Sequence, residues 1–214
     1  MLDPSLLELF LSAFAVLFVL IDPPGCAPVF ATLTRGTSRA HQREMAVRSI
    51  AVAAVILLGF SLTGEWLFSK LGISLDALRI AGGIMLFIIG LNMVFEKRQE
   101  RREDRAEDVL EEVGDPEDIS VFPMGIPMVA GPGTMASLLI LTGESKGWGA
   151  FAAIMAALAA VLLITLASFL AAPLLVRLLG ERFTNVLTRV LGVLLATLAA
   201  QFVLDGVAGA LLQG

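Results

Sequence analysis

Six long apolar runs, each bounded by turns or charges, constrain this chain more than any other feature. They are Leu6–Thr34, Met45–Ser69, Leu75–Phe95, Ile119–Thr142, Trp148–Val176 and Thr184–Leu211. A helix rises about 1.5 Å per residue, so about 20 apolar residues cross the hydrocarbon of a bilayer. Each run is long enough to do so. Composition agrees: the chain is 57% hydrophobic and 16% charged, where soluble domains are roughly half apolar and a quarter charged. There is no Tyr, and Leu and Ala dominate, which favours helices over the short alternating strands of a membrane barrel. The first run has no basic stretch before it and no small-residue cleavage site after it. It is therefore expected to be the first span and not a removable signal. The fold expected is an all-α membrane protein of six transmembrane helices.

Lys and Arg fall on alternate connections. Arg35, Arg39, Arg43 and Arg48 follow the first run, Lys97 to Arg105 the third, and Arg177 and Arg182 the fifth. Only Lys70 and Lys146 lie in the other loops, while Arg79 and Arg189 fall inside runs. The positive-inside rule makes the odd connections cytoplasmic and sends both termini to the periplasmic side. The net charge of −5 says little about partners, because the charges lie between the runs; nucleic acid is not expected. The stretch 96–118 mixes both signs with many i,i+4 opposite pairs and reads as a plain solvated connector.

The chain repeats itself. At a shift of 108, Pro24 meets Pro132, Gly25 meets Gly133, Leu33 meets Leu141 and Thr34 meets Thr142. At a shift of 109, Leu78 meets Leu187, Gly83 meets Gly192, Leu86 meets Leu195 and Val94 meets Val203. The polar pair Asn92 and Gln201 coincides too. Residues 1–95 and 119–214 then form two three-helix units joined by the connector 96–118. Three spans is an odd number, so the second unit enters the membrane in the opposite sense, as in many secondary transporters.

Chemistry concentrates at two matching places. Asp22, Pro23, Pro24, Gly25 and Cys26 fall near the middle of the first run; Gly131, Pro132, Gly133 and Thr134 fall near the middle of the fourth. Proline removes a backbone donor and clashes with the preceding turn. Helices 1 and 4 are therefore expected to break at the midplane, with half-helices beginning at Cys26 and Thr134. Their positive ends would hold an anionic group such as a carboxylate. The alternative is a pair of packing kinks. Asp22 is the only acid near the middle of the first span, and a carboxylate at that depth costs at least about 2.5 kcal/mol. Two roles are open to it: coupling to a proton or cation, or capping the half-helix. Arg79 and Arg189 either snorkel to the interface or pair with Asp22 or a substrate carboxylate. Asn92 and Gln201 are expected to hydrogen-bond between helices.

Asp22-Pro23-Pro24-Gly25-x-x-Pro28-Val29-Phe30, Gly131-Pro132-Gly133-Thr134 and the stretch Arg189–Gly206 resemble the motifs of the MarC family. The similarity covers essentially the whole chain. It implies a bacterial inner-membrane protein of six spans, in a family where some members are described as cation-driven transporters of small neutral amino acids. The family more usually has Asn where this chain has Cys26, so a side-chain amide is lost there.

The expected function is thus transport of a small polar solute, an amino acid or similar carboxylate, with proton or sodium as coupling ion and lipid as solvent. Self-association is left open. A non-transporting membrane scaffold is the competing reading. A thiol–disulfide carrier needs two sulfurs, and Thr134 stands opposite the single Cys26. A hydrolase is not expected, because the one histidine, His41, lies in a basic loop. No cofactor or metal ligand set is expected either, and the protein is not read as an enzyme.

Overall fold

The computed structural model describes residues 5–95, 101, 102, 104, 118–145 and 147–212, and no strand occurs among them. Ser5 and Glu8 open the first helix with a reciprocal cap: the Ser5 hydroxyl accepts from the Glu8 N–H, and the Glu8 carboxylate from the Ser5 N–H. This helix, α1, spans Leu6–Ile21, and α2 spans Pro23–Leu33. Between them stands Asp22, with φ 54° and ψ 64°. Aspartate is one of the few L residues that accept this left-handed conformation. The Asp22 N–H still closes α1 on the Phe18 carbonyl, and its side chain caps the Gly25 N–H. The prolines begin α2 and do not end α1, contrary to the expected start at Cys26. The first turn of a helix needs no N–H, so proline costs nothing there.

Helix α3 spans Arg39–Lys70, capped by Ser38 on the His41 N–H, and α4 spans Leu75–Val94, capped by Ser74. His41 thus sits in a helical first turn, not a loop. The fourth apolar run departs from the expected helix. Its first half, Ser120–Val129, is a wide coil in which Phe122 and Ile126 are extended. Each precedes a proline, Pro123 and Pro127, through a cis peptide bond. A residue before proline avoids the α conformation, so this sequence cannot wind a regular helix. The second half is α5, Pro132–Glu144, bent by 53° from the coil.

Helices α6, Trp148–Leu170, and α7, Ala172–Leu212, complete the chain. The turn between them lies at Ala171, and not in the expected connection between Val176 and Thr184, which is helical. Pro173 is the physical reason: it ends one helix and fits the first turn of the next. Among the described residues, five helical runs are long and apolar enough to span a membrane, and the bent pair is a sixth candidate.

Two cores hold the bundle. One gathers α1, α2, α3, α5 and α6 around Phe30 and Phe169, whose rings stack 4.7 Å apart. The other joins α1, α4 and α7. Val55, Leu62, Leu163 and Leu204 point outward; hydrocarbon, not water, is the solvent that tolerates such a surface. Helices α4 and α7 meet at glycines. A Cβ on Gly83 would sit 2.9 Å from the Ala199 carbonyl, and one on Gly192 would sit 2.9 Å from the Gly90 carbonyl. Small residues let backbones approach where no hydrophobic force drives them together.

Ion pairs mark both ends. Arg79 donates to Glu144 at 2.7 Å and to Asp76 at 2.9 Å, tying the start of α4 to the end of α5. At the other end the Ser120 hydroxyl and N–H donate to Asp118 and hold its carboxyl below the usual range, with Arg48 adding to the effect.

Candidate functional site

An acid buried in an apolar run needs a counter-charge, and the sequence offers none on α1 or α2. The structure supplies it from the connector. Arg102 Nη1 donates to Asp22 Oδ2 at 2.9 Å, and Nη2 reaches the Ile21 carbonyl at 3.4 Å. The Asp22 side chain is fully buried and that of Arg102 is 6% exposed. Removing two charges from water is costly, and only a close pair recovers the cost. This corrects the reading of 96–118 as a plain solvated stretch: one of its arginines turns into the bundle. Arg101 and Asp104 are exposed, and the remainder of that connector, apart from Asp118, lies outside the described residues.

Gly25 makes the pair possible. A Cβ there would overlap the Asp22 carboxylate and lie 2.9 Å from Arg102 Nη1. Proline at 23 and 24 sets the first turn of α2, and the carboxylate then folds back over that turn onto the Gly25 N–H. Cys26 is buried, and its thiol donates to the Ile21 carbonyl at 3.2 Å. Thr134 makes the same bond in the second half, its hydroxyl donating to the Val129 carbonyl at 3.2 Å.

Beside the ion pair lies a cavity of about 280 Å³. At about 30 Å³ per water this is room for a small metabolite, not a drug-sized ligand. Gly131, Pro132, Gly133 and Thr134 form one wall, Arg101 and Arg102 another, and Asn92 of α4 completes the polar lining. Pro23, Pro24, Gly25 and Cys26 do not line it, so of the two expected clusters only the second faces the space directly. Asp22 bears on the cavity through Arg102. No acid lines it among the described residues.

The N-terminus of α5 opens on this space without a side-chain cap. Its counterpart α2 is capped by Asp22, whereas the N-cap of α5 is Gly131, which has no side chain, and the residue 108 positions after Asp22 is Ala130. The first helical turn of α5 therefore presents N–H groups that no side chain satisfies.

The supporting residues separate. Arg79 binds Glu144 and Asp76, not Asp22. Arg189 is exposed on α7. Gln201 donates to Asp205 one turn along its own helix, at 2.7 Å, and so does not bridge helices as expected. Asn92 alone of the four reaches the cavity. Arg102 is the site residue that sequence reasoning missed; nothing in an alternating charged run marks one arginine as turned inward.

A family model described as MarC family integral membrane protein matches residues 7–211. The UPF0056 membrane protein MJ1677 of Methanocaldococcus jannaschii is 35% identical over 206 residues, 96% of this chain and 99% of that one. The UPF0056 membrane protein YvbG of Bacillus subtilis is 34% identical over 196 residues, 92% of each chain. The UPF0056 inner membrane protein YhgN of Escherichia coli is 30% identical over 201 residues, 92% of this chain and 95% of its own. No solved structure matches the chain.

Proposed function

Because the chain belongs to the MarC family of integral membrane proteins, we propose that it is a secondary transporter of a small polar solute, with small neutral amino acids first among candidates, coupled to a proton or sodium gradient. It works in the cell inner membrane as two inverted three-helix repeats, with helices 1 and 4 interrupted at the midplane. The observation that carries this reading is the buried Asp22–Arg102 pair beside a small cavity that also bears Asn92, Arg101 and Thr134, where the two interrupted runs meet. A membrane scaffold has no use for either.

The repeat is supported by contacts that map onto each other. Cys26 to Ile21 and Thr134 to Val129 are the same hydrogen bond 108 residues apart. So are Thr34 to Phe30 and Thr142 to Leu138. Moving Gly83 and Gly90 by 109 gives Gly192 and Ala199, and the contact Gly83–Ala199 becomes Gly192–Gly90. That exchange is the behaviour of a two-fold axis between inverted units. Helix packing follows suit: α1 lies on α6 as the Ser120–Val129 coil lies on α3, and α2 lies on α7 as α5 lies on α4. With the basic loops cytoplasmic, the Arg79–Glu144 bridge ties the outer end, and the cavity lies nearer the inside.

The test is uptake by the purified protein in liposomes. Labelled glycine and alanine are offered with and without an imposed pH or sodium gradient, for wild type and Asp22→Asn. Gradient-driven uptake is expected for wild type and lost in Asp22→Asn, which still caps α2 but cannot titrate. Uptake equally driven in the variant would reduce Asp22 to a cap. Silence across a wide solute panel would favour the scaffold.

A further inference from the structure

Arg102 stands between two demands. A guanidinium carries five N–H donors, and two of those of Arg102 are spent, one on the Asp22 carboxylate and one, at a long 3.4 Å, on the Ile21 carbonyl. The same side chain lines the cavity together with Arg101, and no described acid faces that space. The same cavity is lined by Gly131 to Thr134 at the start of α5, where the N-cap place is held by Gly131, a residue with no side chain. Asp22 supplies that acid to α2 from within the chain. In the second half the acid is missing, and a cavity stands where it would be.

We propose, building on the transport reading of this cavity, that it is a carboxylate site in which Arg102 is a shared cation. With the cavity empty Arg102 serves Asp22. With ligand bound, the ligand's carboxylate takes up Arg102 from the cavity side and supplies α5 with the anionic cap that Gly131 cannot. Asp22 and the ligand therefore compete for one guanidinium. Arg102 is the residue that selects carboxylates, and Asp22 weakens their binding.

This predicts opposite effects for the two halves of one ion pair. The measurement is equilibrium binding to the purified full chain in detergent, by calorimetry and by ligand-induced shift of the unfolding temperature. The probes are L-alanine, propionate and L-alaninamide, the last lacking the carboxylate. Wild type is expected to bind alanine at least roughly tenfold better than alaninamide, the value of one charge-assisted hydrogen bond. Asp22→Asn is expected to bind alanine more tightly, again by roughly tenfold. Adding Arg102→Gln to that variant is expected to abolish the gain and the preference over alaninamide. The double variant leaves no buried charge unpaired, so its folding is not at stake in the way that of Arg102→Gln alone is. Should it nevertheless fail to fold, the direction of change in Asp22→Asn decides. Propionate binding beside alanine supports a general carboxylate site, and alanine alone supports one that also reads the amine.

Weaker carboxylate binding in Asp22→Asn, or a double variant that binds as Asp22→Asn does, overturns the shared-cation site. A wild type that binds none of the three probes overturns it too, while liposome uptake of another solute would leave the transport reading standing. The predicted binding pattern without uptake would sink transport and keep the site.

Discussion

Asp22 and Arg102 together illustrate how a bundle in lipid tolerates charge. Each is nearly without water, and each exists in that place because the other does. Breaking such a pair from one side leaves a naked buried charge and costs about 3–5 kcal/mol, whereas removing both partners costs much less. Arg102→Gln is therefore expected to lower the unfolding temperature in detergent more than Asp22→Asn combined with Arg102→Gln does. Asn suits position 22 because it keeps the cap and accepts φ near 54°. A double variant less stable than Arg102→Gln would show that the pair is not what holds these residues together. The two partners differed in legibility. Asp22 stands out as the one acid near the middle of an apolar run. Arg102 sits among ten other charged residues within 96–108, and only the long-range approach of the connector distinguishes it; local pattern carries no such information.

Elements follow proline and glycine more closely than hydropathy. Hydropathy alone placed the ends of α4 within one residue, Leu75–Phe95 expected against Leu75–Val94 observed. It missed the coil at Ser120–Val129, because apolarity says where a run is buried and nothing of its winding. Pro123 and Pro127 carried that information through the conformation they impose on Phe122 and Ile126. Pro173 likewise fixed the turn that was expected in the connection between Val176 and Thr184. Glycine decides the α4–α7 seam. Alanine is the better helix former by about 1 kcal/mol, yet a Cβ on Gly90 would lie 2.8 Å from the Ala196 nitrogen and 2.9 Å from the Gly192 carbonyl. Backbone cannot step aside as a side chain can. Gly90→Ala is expected to destabilise by about 1–3 kcal/mol, the usual toll of overpacking. Gly59→Ala on α3, where nothing lies within 4 Å, is expected to be neutral or stabilising by up to about 1 kcal/mol. Denaturation of both variants in the same detergent checks the contrast, and equal effects would mean that the seam is looser than its geometry.

The whole molecule is governed by its proposed two-fold relation, and topology is where that proposal meets a measurement independent of transport. Inverted units require that the α3–α4 and α5–α6 connections share one side of the membrane while the α2–α3 connection faces the other. Loop charge chooses which is which: Arg35 and Arg39 flank the last of these, and Lys70 and Lys146 are alone in the first two. The chain is convenient for the experiment, because its single cysteine, Cys26, is fully buried. Against a Cys26→Ala background, Thr37→Cys, Lys70→Cys and Ser145→Cys each place one thiol at a loop. A membrane-impermeant maleimide added to intact cells is expected to label the variants at 70 and 145, and to label that at 37 only after the membrane is opened. Labelling of 37 and 145 together, with 70 protected, would contradict a three-span inverted unit, since it needs an even number of crossings between positions 37 and 145. Labelling of 37 alone would keep the inversion and reverse the orientation, placing the cavity on the outer side and making the Arg79–Glu144 bridge the inner tie. The repeat and the direction of transport are thus separable by one set of three thiols, before any substrate is known.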